Sequence, residues 1–174
     1  MQEKYIDMTA FGLFFVALVS LPIALNDFVG YSDSSYGLDG TDLAMFAKLC
    51  GFFIMLAAIG CYLSRAHFGT VVFGLVSAGV LFSGFAGGVL YTNLALGIIY
   101  LVALVWSYLA KNTPVLTTIL LTTALIFIFG GVAAAEGQDF WVLMQGIAAI
   151  ANFALAFYLA FSLVKAECDG TCSE

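Results

Sequence analysis

The stretch from Leu43 to Leu63 constrains the fold of this chain more than any other part. Apart from Lys48 its residues are apolar, and about twenty such residues cross the hydrocarbon core of a bilayer as a helix. Asp39, Thr41 and Asp42 come just before it. Their side-chain oxygens suit a helix start, because they accept bonds from its unpaired N–H groups and face the positive end of its dipole. The stretch therefore predicts a membrane-spanning helix.

Further apolar runs of similar length extend this prediction to the whole chain. Of the 174 residues, 63% are hydrophobic and only 9% are charged, with a mean hydropathy of +1.09. This composition excludes a soluble domain with a polar surface. We predict an all-α polytopic membrane protein, with one six-helix domain over residues 1–174 and spans at 9–28, 43–63, 69–90, 93–109, 114–135 and 140–164. The first run is span-length and lacks a cleavage site, so we expect it to remain as the first span.

Charge is divided between the two ends of this six-span arrangement. One end carries Lys4, Arg65, Lys111 and Lys165. The other end carries acidic residues and neither lysine nor arginine: Asp27, Asp33, Asp39, Asp42, Glu136 and Asp139. Because cytoplasmic loops retain positive charge, we predict cytoplasmic N- and C-termini and a multi-pass protein of the cytoplasmic (inner) membrane. The net charge of −6 argues against a nucleic-acid partner.

Residue types that carry enzyme chemistry are sparse. His67 is the one histidine of the sequence. Cys50 and Cys61 lie within the second span, where small thiols usually pack in cores. Cys168 and Cys172 lie in a tail predicted to face the reducing cytoplasm, and two cysteines alone make a poor zinc site, so we expect free thiols. We predict no enzyme activity, no cofactor and no metal.

Polar side chains inside the spans are the informative candidates, because each costs free energy unless it lines water or bonds a partner. Lys48 either draws anions from the acidic end into a pore, or extends to the interface and pairs with an acidic loop residue. Asn152, midway along the sixth span, either bonds a neighbouring helix or lines a polar path.

Hydroxyl groups offer the same two alternatives. The fifth span carries a polar stripe of Thr117, Thr118, Thr122 and Thr123. A threonine hydroxyl can bond a carbonyl one turn back in its own helix, or it can replace water around a small carboxylate as this crosses. Ser77 on the third span has the same alternatives.

Five short motifs follow one another along nearly the whole chain: A-F-G-L at 10–13, V-G-Y at 29–31, L-D-G-x-x-L-A-M at 38–45, F-G at 68–69 and A-F-Y-L-A at 156–160. Together they resemble the acetate uptake transporter family, also called succinate–acetate permeases. The resemblance implies six-helix subunits that assemble as homohexamers. It also implies a separate path in each subunit for acetate and related short carboxylates, working as a channel or as a proton-coupled symporter.

The chain departs from the family pattern at its most characteristic positions. The family signature N-P-A-P-L-G-L corresponds to residues 7–13 here, where Asp7 replaces the asparagine and both prolines are lost. Family members narrow the path with Phe, Tyr and Leu on the first, third and fifth helices, and the corresponding positions here are Val16, Val76 and Thr123. Phe73 stands nearby. The resemblance therefore implies a smaller, less aromatic neck.

These observations lead us to expect a path for a small monocarboxylate, lined by Asp7, Val16, Lys48, Phe73, Val76, Ser77, Thr122, Thr123 and Asn152. Lys48 would concentrate anions at the outer mouth, and Asp7 at the inner mouth would repel them or carry a proton. Replacing Lys48 by Met should then weaken uptake without loss of assembly. Two other functions stay open: a non-transporting scaffold or anchor subunit, and a channel for another small solute such as formate or urea.

Overall fold

A computed structural model describes residues 8–32, 40–86 and 90–171 of the chain. Within these ranges the chain forms six helices and no strand: α1 Thr9–Ser32, α2 Gly40–Leu63, α3 His67–Ala86, α4 Leu90–Leu109, α5 Pro114–Glu136 and α6 Asp139–Thr171. Each helix is long and apolar enough to cross a membrane. The predicted all-α, six-span fold is confirmed, and the protein is a multi-pass membrane protein.

Local sequence explains several helix ends. Pro114 begins α5, where its missing N–H would have had no helical partner in any case. Gly137 follows the end of α5 in the left-handed conformation, with a φ of 63°, which costs glycine little. Arg65 and Lys111 also take positive φ values, 62° and 56°, in the turns before α3 and α5.

Most predicted helix bounds differ from the structure by a few residues, and the largest differences are at the ends of α1, which continues past the predicted 28 to Ser32, of α3 and of α6. The sequence predicts that the third span continues to residue 90, whereas Leu90 begins α4. In the sequence, the pair Gly87–Gly88 favours an earlier end of this span, because each glycine costs a helix about 1 kcal/mol relative to alanine. The last helix also continues beyond the predicted end at 164, to Thr171. Lysine and alanine at 165 and 166 favour helix, so α6 does not stop where its apolar run stops.

The helices pack as a ring in the order α3, α2, α1, α6, α5 and α4. The contact between α3 and α4 is sparse, and aromatic side chains bridge this seam, with the Phe68 and Trp106 ring centroids 5.1 Å apart. Consecutive helices run in opposite directions. One end of the ring, here the acidic end, therefore carries Asp27, Asp42, Glu136 and Asp139, and the opposite, basic end carries Arg65, Lys111 and Lys165.

The outer surface of the ring is apolar. Large exposed side chains there include Leu25, Met45, Leu49, Val102 and Tyr158. Lipid tails are as apolar as these side chains, so a membrane helix gains little by burying them. The polar side chains that bear on function are therefore found inside the ring.

Candidate solute path

A cavity of about 420 Å³ lies inside the acidic end of the ring. All six helices contribute to its wall. Its polar lining residues are Asn26, Asp27, Ser83, Asn93 and Gln145, and the remainder of the wall is largely apolar. A concave apolar site with a few convergent polar groups is typical of a binding site for a small molecule.

Two of the lining residues hold buried oxygen atoms without a hydrogen-bond partner, namely Asp27 Oδ2 and Asn93 Oδ1. Asp27 on α1 is 8% exposed and Asn93 on α4 is 7% exposed. Leaving a buried acceptor unbonded costs about 1–3 kcal/mol. These two oxygens are therefore placed unfavourably unless a molecule in the cavity supplies hydrogen-bond donors.

Close helix packing holds both residues in position. A Cβ atom added to Gly146 of α6 would lie 3.1 Å from the Asp27 Cβ atom. A Cβ atom added to Gly131 of α5 would lie 3.0 Å from the Asn93 Cβ atom. The small residues thus let α6 and α5 approach the backbone beside each acceptor.

The floor of the cavity is aromatic. Phe127 of α5 lines the cavity and reaches across to α3, where a Cβ atom on Gly79 would come within 2.9 Å of the Phe127 Cζ atom. Tyr100 of α4 is fully buried and stacks on Phe127, with ring centroids 5.4 Å apart and an interplanar angle of 7°. The two rings close the space next to the loosely packed α3 and α4.

The predicted neck residues Val16, Val76 and Thr123 lie at one level, next to this floor. Val16 precedes the lining residue Val19 by three positions, Val76 precedes Val80 by four, and Thr123 precedes Phe127 by four. That separation is one helical turn, about 5 Å along the axis. Because α1, α3 and α5 run from the basic to the acidic end, each predicted neck residue lies on the basic side of the cavity. All three are buried, with exposed fractions of 3, 5 and 5%. Their role as a neck stays a prediction.

Phe73 lies on α3 almost one helical turn from Val76, toward the basic end. It is buried, and its ring occupies the space that Gly12 leaves open on α1, because a Cβ atom there would lie 2.7 Å from the Phe73 Cε1 atom. Aromatic rings therefore flank the neck level on both sides, Phe127 toward the cavity and Phe73 toward the basic end. The expectation of a less aromatic neck concerns the level of Val16, Val76 and Thr123 and stays a prediction.

Asn152 is the centre of a cluster, here the closed cluster, that also contains Ser20, Thr122 and Thr123. The Oδ1 atom of Asn152 accepts bonds from Thr122 Oγ1 at 2.8 Å and from Thr123 Oγ1 at 3.2 Å. Its Nδ2 atom donates to Ser20 Oγ at 2.9 Å, and Ser20 Oγ donates to the Val16 carbonyl at 2.8 Å. These bonds connect α6 with α5 and α1. Of the two roles open for Asn152, the structure shows the bonds to neighbouring helices.

The threonine hydroxyls of the closed cluster have alternative acceptors. Thr122 Oγ1 lies 3.0 Å and Thr123 Oγ1 lies 2.8 Å from the Ile119 carbonyl oxygen. Each hydroxyl has one proton and can donate only one full bond at a time. A hydroxyl that turns from Asn152 to its own helix therefore stays satisfied.

Two other predicted path residues, Ser77 and Lys48, do not lie at the cavity wall. Ser77 Oγ donates to the Gly51 carbonyl of α2 at 2.9 Å, which is a bond between helices. Lys48 does not line the cavity, since its Nζ atom lies 4.6 Å from the centroid of the Phe85 ring, which is 74% exposed on the outer surface. Asp7 lies outside the described residues.

The possible metal ligands and the cysteines can be located within the described part of the chain. Among residues 8–32, 40–86 and 90–171, no three His, Cys, Asp or Glu side chains are grouped so that they could hold a metal ion. Cys50 and Cys61 are buried and form no disulfide. The side chain of Cys168 and the whole of Cys172 lie outside the part of the chain that is described.

The fold is similar to that of a known channel. The solved structure of the bacterial acetate channel SatP matches this chain with a TM-score of 0.75 at 20% sequence identity, over 96% of each chain. No protein-family model and no curated protein sequence matches the chain. At this identity the likeness establishes a shared six-helix fold.

Proposed function

We propose that this chain transports a small monocarboxylate such as acetate across the cytoplasmic membrane. The observation that carries the proposal is the cavity built by all six helices, directly beside the buried residues Val16, Val76 and Thr123, in a fold shared with an acetate channel. A path needs both parts. The cavity offers polar groups to a hydrated solute, and in the proposed path the solute loses its water at the buried level of Val16, Val76 and Thr123.

In the proposed path the solute first occupies the cavity, where Ser83, Asn93 and Gln145 offer hydrogen bonds. It then passes Phe127, whose ring rotates aside, and crosses the level of Val16, Val76 and Thr123. The Thr122 and Thr123 hydroxyls can turn toward it because each has more than one acceptor within reach. The solute finally passes Phe73 toward the basic end.

The proposal includes an orientation and an assembly. The basic end faces the cytoplasm, because positively charged loops remain on that side. The assembly is a homohexamer, which rests on the family resemblance, and native mass spectrometry should give six times the chain mass of 18.5 kDa. A monomer as the only species would overturn the assembly and leave the transport proposal standing.

Uptake of labelled acetate into proteoliposomes tests the function, with protein-free liposomes as the reference because acetic acid itself crosses bilayers. Accumulation that collapses with an imposed pH gradient would identify a proton-coupled symporter, and equilibration without a gradient would identify a channel. Val76→Trp should block the protein-dependent uptake, whereas Val102→Trp should leave it unchanged because Val102 is 64% exposed on the outer surface. Uptake no faster than in protein-free liposomes would contradict the proposal.

A small neutral solute such as urea is the second candidate. The observation that favours it is that the described residues lining the cavity include no lysine or arginine, which a site for a free anion would be expected to contain. Competition of labelled acetate uptake by formate, succinate and urea separates these substrates. If no solute crosses in any arm, a scaffold role replaces transport.

A further inference from the structure

We infer that the cavity at the acidic end recognises its substrate as a neutral carboxylic acid, with Asp27 and Asn93 as the hydrogen-bond acceptors. This inference rests on the proposed function and specifies the protonation state in which the substrate binds. A carboxylic acid presents one O–H donor and one carbonyl acceptor, whereas its anion presents acceptors alone. The two forms therefore need opposite kinds of site.

The two unbonded atoms in residues that line the cavity are acceptors, whereas the third buried unbonded atom among the described residues, the Tyr100 hydroxyl oxygen, belongs to a residue that stacks on Phe127 and does not line the cavity. Asp27 Oδ2 and Asn93 Oδ1 are each buried within residues more than nine-tenths covered, and neither has a partner. They come from helices on different sides of the ring, and both line the same cavity. A solute with an O–H or N–H group satisfies such atoms, and an anion does not.

A donor for the carbonyl oxygen of the acid lies in the same wall. Gln145 lines the cavity from α6, and its amide lies against Gly130 of α5, where a Cβ atom would lie 2.7 Å from the Gln145 Nε2 atom. An amide N–H there can donate to the substrate while Asp27 accepts the substrate O–H. The cavity thus supplies both halves of the bonding pattern of an acid.

The charge of the cavity wall also favours a neutral acid over its anion. Asp27 is the one ionisable residue among those described as lining the wall. Among the described side chains on the helices packed against α1, the other ionisable groups lie elsewhere: Asp42 and Asp139 are exposed, Lys48 sits on Phe85 at the outer surface, and His67 and Lys165 belong to the basic end. Two carboxylates in contact do not both stay ionised. One proton between Asp27 and the substrate removes the conflict, and no covalent bond other than O–H is involved.

Acetamide and methanesulfonate are suitable probes of this inference. Acetamide has nearly the shape of acetic acid, is neutral at every working pH and donates through N–H. Methanesulfonate is of similar size and stays an anion. In proteoliposomes, unlabelled acetamide should compete with labelled acetate, and methanesulfonate should not. Labelled acetamide should itself enter faster than into protein-free liposomes.

Substitutions assign the effect to the two acceptors. Asp27→Asn keeps the side-chain shape, removes the charge and adds a donor, so methanesulfonate should become a competitor and acetamide competition should weaken about tenfold. Asn93→Leu should weaken acetamide competition by about the same factor without admitting methanesulfonate. Asp139→Asn removes an exposed charge at the same end and should change neither. Melting temperatures of all variants establish that they fold.

The outcomes separate this inference from the proposed function. If methanesulfonate inhibits acetate uptake as strongly as acetamide does, the inference is overturned and acetate transport stays in place. The same holds if Asp27→Asn changes the inhibition by neither competitor. Acetamide uptake that depends on Asp27, without acetate uptake above protein-free liposomes, would support the recognition of neutral donors and overturn the proposed substrate. Absence of uptake for both solutes would overturn both.

Discussion

Two polar sites lie inside the same ring of helices and differ in one property. In the closed cluster, Asn152 has hydrogen-bond partners at both ends of its amide, supplied by α1 and α5. In the cavity, Asp27 and Asn93 each keep one buried oxygen without a partner. The comparison teaches that burial of a polar side chain in a membrane helix does not identify a solute site. What distinguishes the two is whether neighbouring helices already supply the bonds.

The largest expected effect concerns packing on the basic side of the neck level, where Phe73 is buried. Phe73→Ala should lower the free energy of unfolding by about 3 kcal/mol, because the ring is buried against Gly12 and Ala57 and would leave a void. Thermal unfolding of the purified protein measures this. Phe82→Ala on the same helix is the control, since Phe82 is 43% exposed, and equal losses in both variants would contradict the packing described.

Breaking the closed cluster should have the next largest effect. Asn152→Leu removes three interhelical hydrogen bonds, each worth on average about 0.6 kcal/mol and at most about 1.7 kcal/mol in membrane proteins. The threonine hydroxyls retain the Ile119 carbonyl as an acceptor, so we expect a net loss of about 2 kcal/mol. Thermal unfolding again measures it. An unchanged melting temperature together with abolished uptake would instead place Asn152 in the solute path.

The equivalent substitution in the cavity should lower uptake and leave stability nearly unchanged. Asn93→Leu removes an acceptor that lacks a partner, so the free energy of unfolding should stay within about 1 kcal/mol of the original. Uptake of acetate should fall about tenfold because a substrate bond is lost. Unfolding and uptake are measured on the same preparation. A loss of stability like that of Asn152→Leu would remove the distinction between the two sites.

The smallest effect is expected at Lys48, which belongs to neither site. Lys48→Met removes a cation–π contact with Phe85, worth about 0.5–1 kcal/mol at an exposed position. The sequence alone predicts weaker uptake from this change, whereas the position of Lys48 on the outer surface predicts an unchanged dependence of uptake on acetate concentration. A several-fold rise in half-saturating acetate would restore Lys48 to the outer mouth of the path.

The sequence predicts the fold more completely than the site, for a physical reason. Span number follows from apolar length, and α5 begins at Pro114 as its proline indicates. The site depends on which helices are neighbours and how each is rotated, and neither is encoded in hydropathy. The sequence therefore assigns Asp27 only to the acidic end, although its Oδ2 atom lies buried inside the ring.

The aromatic floor illustrates the same limit. The family resemblance directs attention to Thr123, while Phe127, one turn away, supplies the ring that lines the cavity. The sequence offers Tyr100, which stacks on Phe127, only as one of several hydroxyl groups of the fourth span, beside Tyr108 and Ser107. A signal was present in Gly79, which leaves room for Phe127, but a single glycine does not identify the residue opposite it.

Cysteine labelling tests most directly the claim that solute binds in the cavity, whereas Ser20 and Asn152 of the closed cluster are held by bonds between helices. Ser83→Cys places a thiol in the cavity wall, and Ser20→Cys places one in the cluster, both in a chain whose Cys168 and Cys172 are replaced by serine. A small water-soluble methanethiosulfonate reagent should label the first variant, acetate or acetamide should slow that labelling, and the second variant should stay unlabelled. Equal labelling of both thiols, or labelling of Ser83→Cys that no solute slows, would contradict the account.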